Sequence, residues 1–299
     1  MLTNVNFEEI ILKFNFFEAF LIFIRGLLMG SADIVPGVSG GTIALITGIY
    51  DHLIGSISKI NFGFLKPLFK GNIKGFWSAL LDEVDFAFFI PLALGIGIAM
   101  LTIAKVVTYC MDVYTALTYS FFIGLIIASA YVLFRKINEL NVKHVLFAVL
   151  GCILAYIFVS LNPIAANHSL PVLFISGLIA ICAMILPGIS GSFLLLLLGQ
   201  YEYMLTALHT FSLTEIIVFI AGAFIGILSF SKLLNYLIKN YESFTMAFLI
   251  GVMVGTLKIP ALNVISNVSL HASELIPCLI VAVIAFVIIF VMERSFVSE

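Results

Sequence analysis

The sequence predicts an all-α polytopic membrane protein built from two inverted repeats. Of its 299 residues, 63% are hydrophobic and 10% charged, the mean hydropathy is +1.23, and the motif Pro-Gly-x-Ser-Gly occurs twice. Soluble domains carry about 25% charged residues, so a water-soluble enzyme is excluded. The 29 Phe and the long apolar runs exclude intrinsic disorder, and a net charge of −2 offers no basic surface for nucleic acid.

Six apolar segments are predicted as membrane spans, for which about 20 helical residues are needed. Three lie in each half of the chain, at 86–107, 115–134, 144–161, 214–236, 244–257 and 275–292. Two further regions are shorter apolar arms around a Pro-Gly motif, at 16–31 with 41–57 and at 171–186 with 192–208. Because proline and paired glycines break helices, each region is predicted to form a broken, re-entrant hairpin of two half-length helices joined at a Pro-Gly tip.

The two tips mark an internal repeat. At a shift of 151 residues, nine of the 19 positions 32–50 are identical, and at a shift of 127, ten of the 30 positions 95–124 are identical. The first shift exceeds the second by 24 residues, which places an insertion near 58–84. We therefore predict one membrane domain, 1–299, and divide it into repeat 1 at 16–162 and repeat 2 at 170–296.

Each predicted repeat combines one hairpin with three transmembrane helices, so it crosses the membrane an odd number of times. The second repeat is then inverted relative to the first, as in many secondary transporters. Eleven of the 14 Lys and Arg lie on or near the N-terminal side, which the positive-inside rule makes cytoplasmic. Both termini are then cytoplasmic. The insertion 58–84, rich in Lys and Phe, is predicted to lie along the cytoplasmic interface, with a plain loop as the alternative.

The two tips are the candidate binding site. Glycine lets the backbone turn tightly and lets a ligand approach, and the helix after each tip directs N–H groups that favour an anion. Serine and threonine hydroxyls add donors. The candidate phosphate-binding residues at the tips are Gly37, Ser39, Gly40, Gly41, Thr42, Gly188, Ser190, Gly191 and Ser192. Irregular backbone at membrane depth needs surrounding protein or a water-filled cavity, so two facing tips would form one polar site that favours an anion. Two glycine-rich loops at the membrane surface are the alternative.

Arg25 lies inside an apolar arm, where an arginine is costly unless it meets an anion or an acid. A guanidinium fork matches phosphate oxygens, so we interpret Arg25 as a phosphate ligand. The alternatives are a structural pair with Asp33 or Glu18, or a side chain that extends to the membrane surface.

Five further charged residues are candidates for coupling or gating. Asp33 is the only acid at either tip, and it can carry a proton, balance the nearby arginine or cap the following turn. Asp51 and Glu202 are repeat-equivalent acids beyond the tips, with ordinary interfacial acids as the alternative. Lys105 and Lys232 are repeat-equivalent lysines near opposite membrane faces, with snorkelling as the simpler account. The histidines show no metal-ligand spacing, so we expect neither a metal nor a cofactor.

At Gly30–Thr42 and Leu186–Ser192 the sequence resembles the PopT-like polyprenyl-phosphate transporters, a family formerly grouped under a domain of unknown function. The resemblance covers nearly the whole chain. It implies a non-enzymatic, multi-pass protein of the bacterial cytoplasmic membrane. Its expected activity is to return undecaprenyl phosphate from the outer to the cytoplasmic leaflet, where the lipid again carries peptidoglycan and teichoic acid precursors. Undecaprenyl phosphate and membrane lipids are the expected partners, a homo-oligomer stays open, and nucleic acid is not expected.

Two alternatives belong to other classes. Undecaprenyl-pyrophosphate phosphatases also use inverted repeats and a Pro-Gly-x-Ser tip, but their tip continues with Arg-Ser and a glutamate-rich motif supplies their catalytic acids. Here the tips continue with Gly40-Gly41 and Gly191-Ser192, and no paired intramembrane glutamates occur. A small-anion channel or exchanger is the third interpretation, because the tips alone also suit a soluble anion.

Overall fold

The computed structural model describes residues 16–33, 39–137, 139–161, 167–269 and 271–297. Within these ranges every regular element is a helix. The first half contains α1 (Phe16–Asp33), α2 (Gly40–Ile46), α3 (Tyr50–Lys59), α4 (Leu65–Phe69), α5 (Ile73–Glu83), α6 (Phe86–Val113), α7 (Thr115–Arg135) and α8 (Val142–Phe158). The second half contains α9 (Leu170–Ile185), α10 (Gly191–Leu197), α11 (Tyr201–His209), α12 (Leu213–Thr256), α13 (Lys258–Asn267) and α14 (Ala272–Val297).

Four helical segments of the described chain are long and apolar enough to cross a membrane. They are Phe86–Ile103, Thr115–Arg135, Leu213–Asn267 and Ser273–Val291. The helices α8 and α9 are apolar but shorter, with 17 and 16 residues. Large hydrophobic side chains are exposed along α6, α8, α12 and α14. An apolar surface of this extent meets lipid rather than water, so the chain is a multi-pass helical membrane protein, as predicted.

The segment Leu213–Asn267 does not form one straight span, because Tyr241 breaks α12. Its backbone angles, φ −140° and ψ 42°, are not helical, and they divide α12 into segments 213–240 and 242–256. The two spans predicted at 214–236 and 244–257 lie on either side of this break. The prediction of two helices in this region is therefore correct, although α13 extends the second one at its end.

The break in α12 has a counterpart 127 residues earlier. Tyr114, between α6 and α7, has φ −122° and ψ 43°, close to the values at Tyr241. Thr118 and Thr245, each four residues later, donate from their hydroxyls to the carbonyl oxygens four and eight residues before them, at 2.9–3.2 Å. The positions that the sequence shift relates therefore share their local geometry.

The arms that follow the two tips differ from the prediction, because each contains two short helices rather than one half-helix. Gly48 ends α2 with φ +75°, and Gly199 ends α10 with φ +63°. These are left-handed conformations that glycine adopts without a steric cost and that commonly end helices. The backbone N–H groups of Gly48 and Gly199 each donate to the carbonyl oxygen three residues earlier, at 3.2 and 3.0 Å. The arms 41–57 and 192–208 are thus divided at equivalent glycines.

Glycines allow the helices to pack with their backbones in contact. A Cβ atom on Gly95 of α6 would lie 2.2 Å from the carbonyl oxygen of Phe23 in α1, and one on Gly222 of α12 would lie 1.9 Å from that of Phe174 in α9. The two contacts are related by the same sequence shifts. Small residues of this kind are the usual contact points between membrane helices.

The last long helix of each half packs against the other half. A Cβ on Gly124 of α7 would lie 2.1 Å from the carbonyl oxygen of Ala282 in α14, and one on Gly251 of α12 would lie 1.9 Å from that of Ala148 in α8. The helices α8 and α14 are thus exchanged between the halves. This exchange holds the two halves together around the tips.

The contact at Gly95 yields a test within one helix. We expect Gly95→Ala to destabilise the protein by about 1–3 kcal/mol, because the added methyl group must separate α1 from α6. Gly97→Ala is the matched control, since a Cβ there has no atom within 4 Å. Thermal unfolding of the purified variants in detergent measures the difference. Equal melting temperatures for the two variants would contradict the close approach of α1 and α6.

Candidate functional site

The two tips, far apart in sequence, contact each other through Ser39. Its side chain is fully buried, at 0% exposure, and it caps α2 by accepting a hydrogen bond from the Gly41 N–H at 3.1 Å. The hydroxyl of Ser39 also faces the carbonyl oxygens of Met184 at 3.3 Å and Leu186 at 3.1 Å, one of which takes its proton. One serine of the first tip thus joins the helix start of its own half to the second tip.

Thr42 makes the second link between the tips. Its hydroxyl oxygen accepts a hydrogen bond from the backbone N–H of Gly188 at 2.9 Å, and its side chain is 2% exposed. Gly188 has φ +87°, and a Cβ there would lie 3.0 Å from the Cα of Met253 in α12. A residue larger than glycine at 188 would be strained in its backbone and crowded by α12.

Tyr50 makes the third link, and the sequence interpretation did not include it. Its buried hydroxyl donates to the carbonyl oxygen of Ile185 at 3.3 Å. A Cβ on Gly41 would lie 2.6 Å from the same oxygen, so only a residue without a side chain lets the backbone of the second tip pack this close to α2. The only sequence signal for Tyr50 is its identity with Tyr201 at the shift of 151 residues.

The second tip contributes a pair of hydroxyls. The oxygen atoms of Ser190 and Ser192 lie 2.8 Å apart, so one hydroxyl donates to the other. The second hydroxyl proton of the pair is available to another acceptor. Ser190 is buried and Ser192 is half-buried. Gly191 begins α10 between them, where a Cβ would lie 2.9 Å from the carbonyl oxygen of Ala180.

Asp33 caps the first tip. Its Oδ1 accepts a hydrogen bond from the backbone N–H of Gly40 at 2.6 Å, and a Cβ on Gly40 would lie 2.5 Å from Oδ2. Of the three roles that the sequence left open for Asp33, this contact favours capping. The coupling and gating roles stay predictions.

We expect Asp33→Asn to retain most of the stability of the tip, because the amide oxygen can replace Oδ1 as acceptor. Asp33→Ala removes the acceptor and is expected to cost about 0.5–2 kcal/mol, the usual range for a lost helix cap. Thermal unfolding in detergent distinguishes the two variants. A destabilisation by Asp33→Asn as large as that by Asp33→Ala would show that the negative charge, rather than the hydrogen bond, stabilises the tip.

Arg25 lies half-buried in α1, eight residues before Asp33. With a rise of 1.5 Å per residue, its backbone is about 12 Å along the helix axis from the start of the tip. Slightly more than two helical turns of α1 therefore separate the backbone of Arg25 from the first tip. The segment 34–38, which includes the predicted site residue Gly37, lies outside the described residues.

The remaining charged candidates lie away from the contact between the tips. Asp51 and Glu202 are exposed in the first turns of α3 and α11. Lys232 on α12 is exposed, and its Nζ donates to the side-chain oxygen of Asn61 at 2.7 Å, which links α12 to the insertion. Lys105 is exposed on α6. Their proposed roles in gating stay predictions.

The helices define a class of protein, namely a multi-pass helical membrane protein with a buried polar contact between two sequence-related tips. The family model described as undecaprenyl phosphate translocase-like matches residues 29–291. This chain belongs to that family, and the resemblance identified from the sequence is confirmed.

Two relatives of this chain agree with the family assignment. A polyprenyl-phosphate transporter of Vibrio cholerae is 43% identical over 235 residues, which cover 79% of this chain and 75% of the relative. A polyprenyl-phosphate transporter of Staphylococcus aureus is 30% identical over 252 residues, which cover 78% of this chain and 83% of the relative. No solved structure is a significant match to this chain.

Proposed function

We propose that this protein is a transporter that moves undecaprenyl phosphate from the outer to the cytoplasmic leaflet of the bacterial cytoplasmic membrane. The observation that carries the proposal is the polar contact between the tips, made by Ser39, Thr42 and Tyr50. Its hydroxyl and amide groups are of the kind that bind phosphate oxygens. A lipid monophosphate needs only its head group to pass such a site, while its chain stays among the membrane lipids.

The two halves act in this proposal as inverted repeats that open alternately to the two leaflets. Three features support the duplication: the matching breaks at Tyr114 and Tyr241, the matching glycines Gly48 and Gly199, and the exchange of α8 and α14. The lysine and arginine distribution supports cytoplasmic termini. In this arrangement α1 with α2, and α9 with α10, are the re-entrant arms.

The phosphate is proposed to bind when the two tips separate. The N–H of Gly188 would then leave the Thr42 hydroxyl, and the hydroxyl of Ser39 would leave the carbonyl oxygens of the second tip. These two groups and the hydroxyl of Thr42 would donate to phosphate oxygens instead. The pair Ser190 and Ser192 supplies a further donor from the second tip. Arg25 supplies the positive charge, because a dianionic head group is costly to hold with neutral donors alone.

A reconstitution experiment tests this function against its alternatives. The purified protein is placed in vesicles that contain undecaprenyl phosphate, and a lipopeptide antibiotic that binds this lipid is added outside. Protein-free vesicles should expose about half of the lipid, because it occupies both leaflets, and an active transporter should raise the accessible fraction with time. Vesicles with the lipid in one leaflet only then give the direction of transport.

Two further measurements on the reconstituted protein, each with its own substrate, address the other classes. Release of inorganic phosphate from undecaprenyl pyrophosphate would favour a phosphatase, and passage of free inorganic phosphate would favour an anion channel or exchanger. An accessible fraction that stays at the protein-free level would contradict the proposed transport.

A further inference from the structure

An apolar cavity of about 590 Å³ lies beside the second tip. Its walls come from α8 and from both segments of α12 on either side of the break at Tyr241. The residues that line it are Phe147, Leu150, Leu186, Phe230, Leu234, Leu237, Tyr241, Phe244, Thr245, Phe248 and Leu249. The volume falls within the range of about 300–1,000 Å³ that is usual for sites of small organic ligands.

The chemistry of the walls specifies an apolar occupant. The hydroxyl of Thr245 already donates to the carbonyl oxygens of Leu237 and Tyr241. Nine of the eleven side chains that line the cavity are leucine or phenylalanine, which are pure hydrocarbon. Such a surface gains free energy by contact with a hydrocarbon chain and offers little to a soluble anion.

Leu186 connects this cavity to the contact between the tips. Its side chain lines the cavity, while its carbonyl oxygen faces the hydroxyl of Ser39 at 3.1 Å. Two other cavities, of about 470 Å³ between α7 and α14 and of about 360 Å³ between α8 and α12, are lined by residues outside both tips. Of these three cavities, the largest alone adjoins a tip.

We propose that this cavity holds the part of the isoprenoid chain nearest the phosphate while the head group is at the tips. The inference rests on the proposed function and adds the place of the lipid chain to it. The cavity is far smaller than a complete undecaprenyl chain, so the remainder of the chain extends into the bilayer. The break at Tyr241 then has a structural role, because residues from both segments of α12 line one chain site.

Photolabelling with a short substrate analogue tests the inference. Farnesyl phosphate with a diazirine on its chain is added to the protein in vesicles, and the labelled peptides are identified by mass spectrometry. We expect label in residues 230–249 and 147–150. We also expect Leu150→Trp in α8 and Leu237→Trp in α12, which fill the cavity from different helices, to weaken binding of farnesyl phosphate by about tenfold or more.

Two control variants and one competitor keep the outcomes distinct. Leu279→Trp, in the cavity between α7 and α14, is the matched control and should leave the affinity unchanged. Leu237→Ala enlarges the cavity without filling it and should keep the labelling, which separates filling of the cavity from misfolding. Binding by both tryptophan variants that equals wild type, or labelling abolished by excess phosphatidylglycerol, would overturn the chain site and leave the transport function intact. Wild-type protein that neither binds nor moves a polyprenyl phosphate would overturn the proposed function itself.

Discussion

Replacing Arg25 by glutamine is expected to reduce undecaprenyl phosphate transport by about 10- to 100-fold. A hydrogen bond to a charged group contributes about 1.5–3 kcal/mol, and each 1.4 kcal/mol corresponds to a factor of ten. Arg25 lies half-buried in α1 among apolar residues, which cannot take over its interaction with the phosphate when the positive charge is removed. The vesicle assay with the lipid-binding antibiotic measures the loss, and thermal unfolding shows whether the variant remains folded.

Two companion variants separate the phosphate role of Arg25 from a structural one. Arg25→Lys keeps the positive charge but loses the planar fork, so its transport rate should fall between those of wild type and Arg25→Gln. Arg135→Gln removes an exposed arginine at the end of α7 and should leave transport unchanged. Folded Arg25→Gln protein with a wild-type rate would remove Arg25 from the site. A melting temperature that falls with the transport rate would instead assign it a structural role.

Much of the helical architecture could be predicted from local sequence patterns. Apolar runs of sufficient length predicted the spans, and the gap predicted between 214–236 and 244–257 contains Tyr241, where the structure breaks α12. The division of the arms was missed because a single glycine within an arm does not by itself predict a helix end. One left-handed residue ends a helix without altering the hydropathy pattern.

The contact between the tips could be anticipated only in part. The repeated motif placed Ser39 and Thr42 at a special site, but their partners are 145–147 residues away in sequence. No local sequence pattern predicts that the hydroxyl of Thr42 accepts a hydrogen bond from the N–H of Gly188, or that the hydroxyl of Tyr50 donates to the carbonyl oxygen of Ile185. Such contacts depend on how the halves pack, and the packing depends on the exchange of α8 and α14 through glycines that look like ordinary helix residues.

Thr42→Val should lower the free energy of unfolding by about 1–3 kcal/mol, although the two side chains have nearly the same shape. The substitution leaves the buried N–H of Gly188 without its acceptor, and an unsatisfied buried donor carries a cost in this range. Thr42→Ser keeps the hydroxyl and should restore most of the stability. Thermal unfolding in detergent measures both variants.

Thr47→Val is the matched control for Thr42→Val, because Thr47 directly follows α2 and is equally buried, at 1% exposure. The hydroxyl of Thr47 donates to the carbonyl oxygens of Ile43 and Ala44, and both oxygens also accept a backbone N–H. Loss of this hydroxyl therefore leaves no N–H group without an acceptor. Stability and transport should therefore fall more for Thr42→Val than for Thr47→Val. Equal effects of the two variants would mean that the loss of any buried hydroxyl at α2, rather than of the bond between the tips, lowers stability and transport. A larger effect at Thr42 would instead tie transport to the hydrogen bond between the Thr42 side chain and the Gly188 amide.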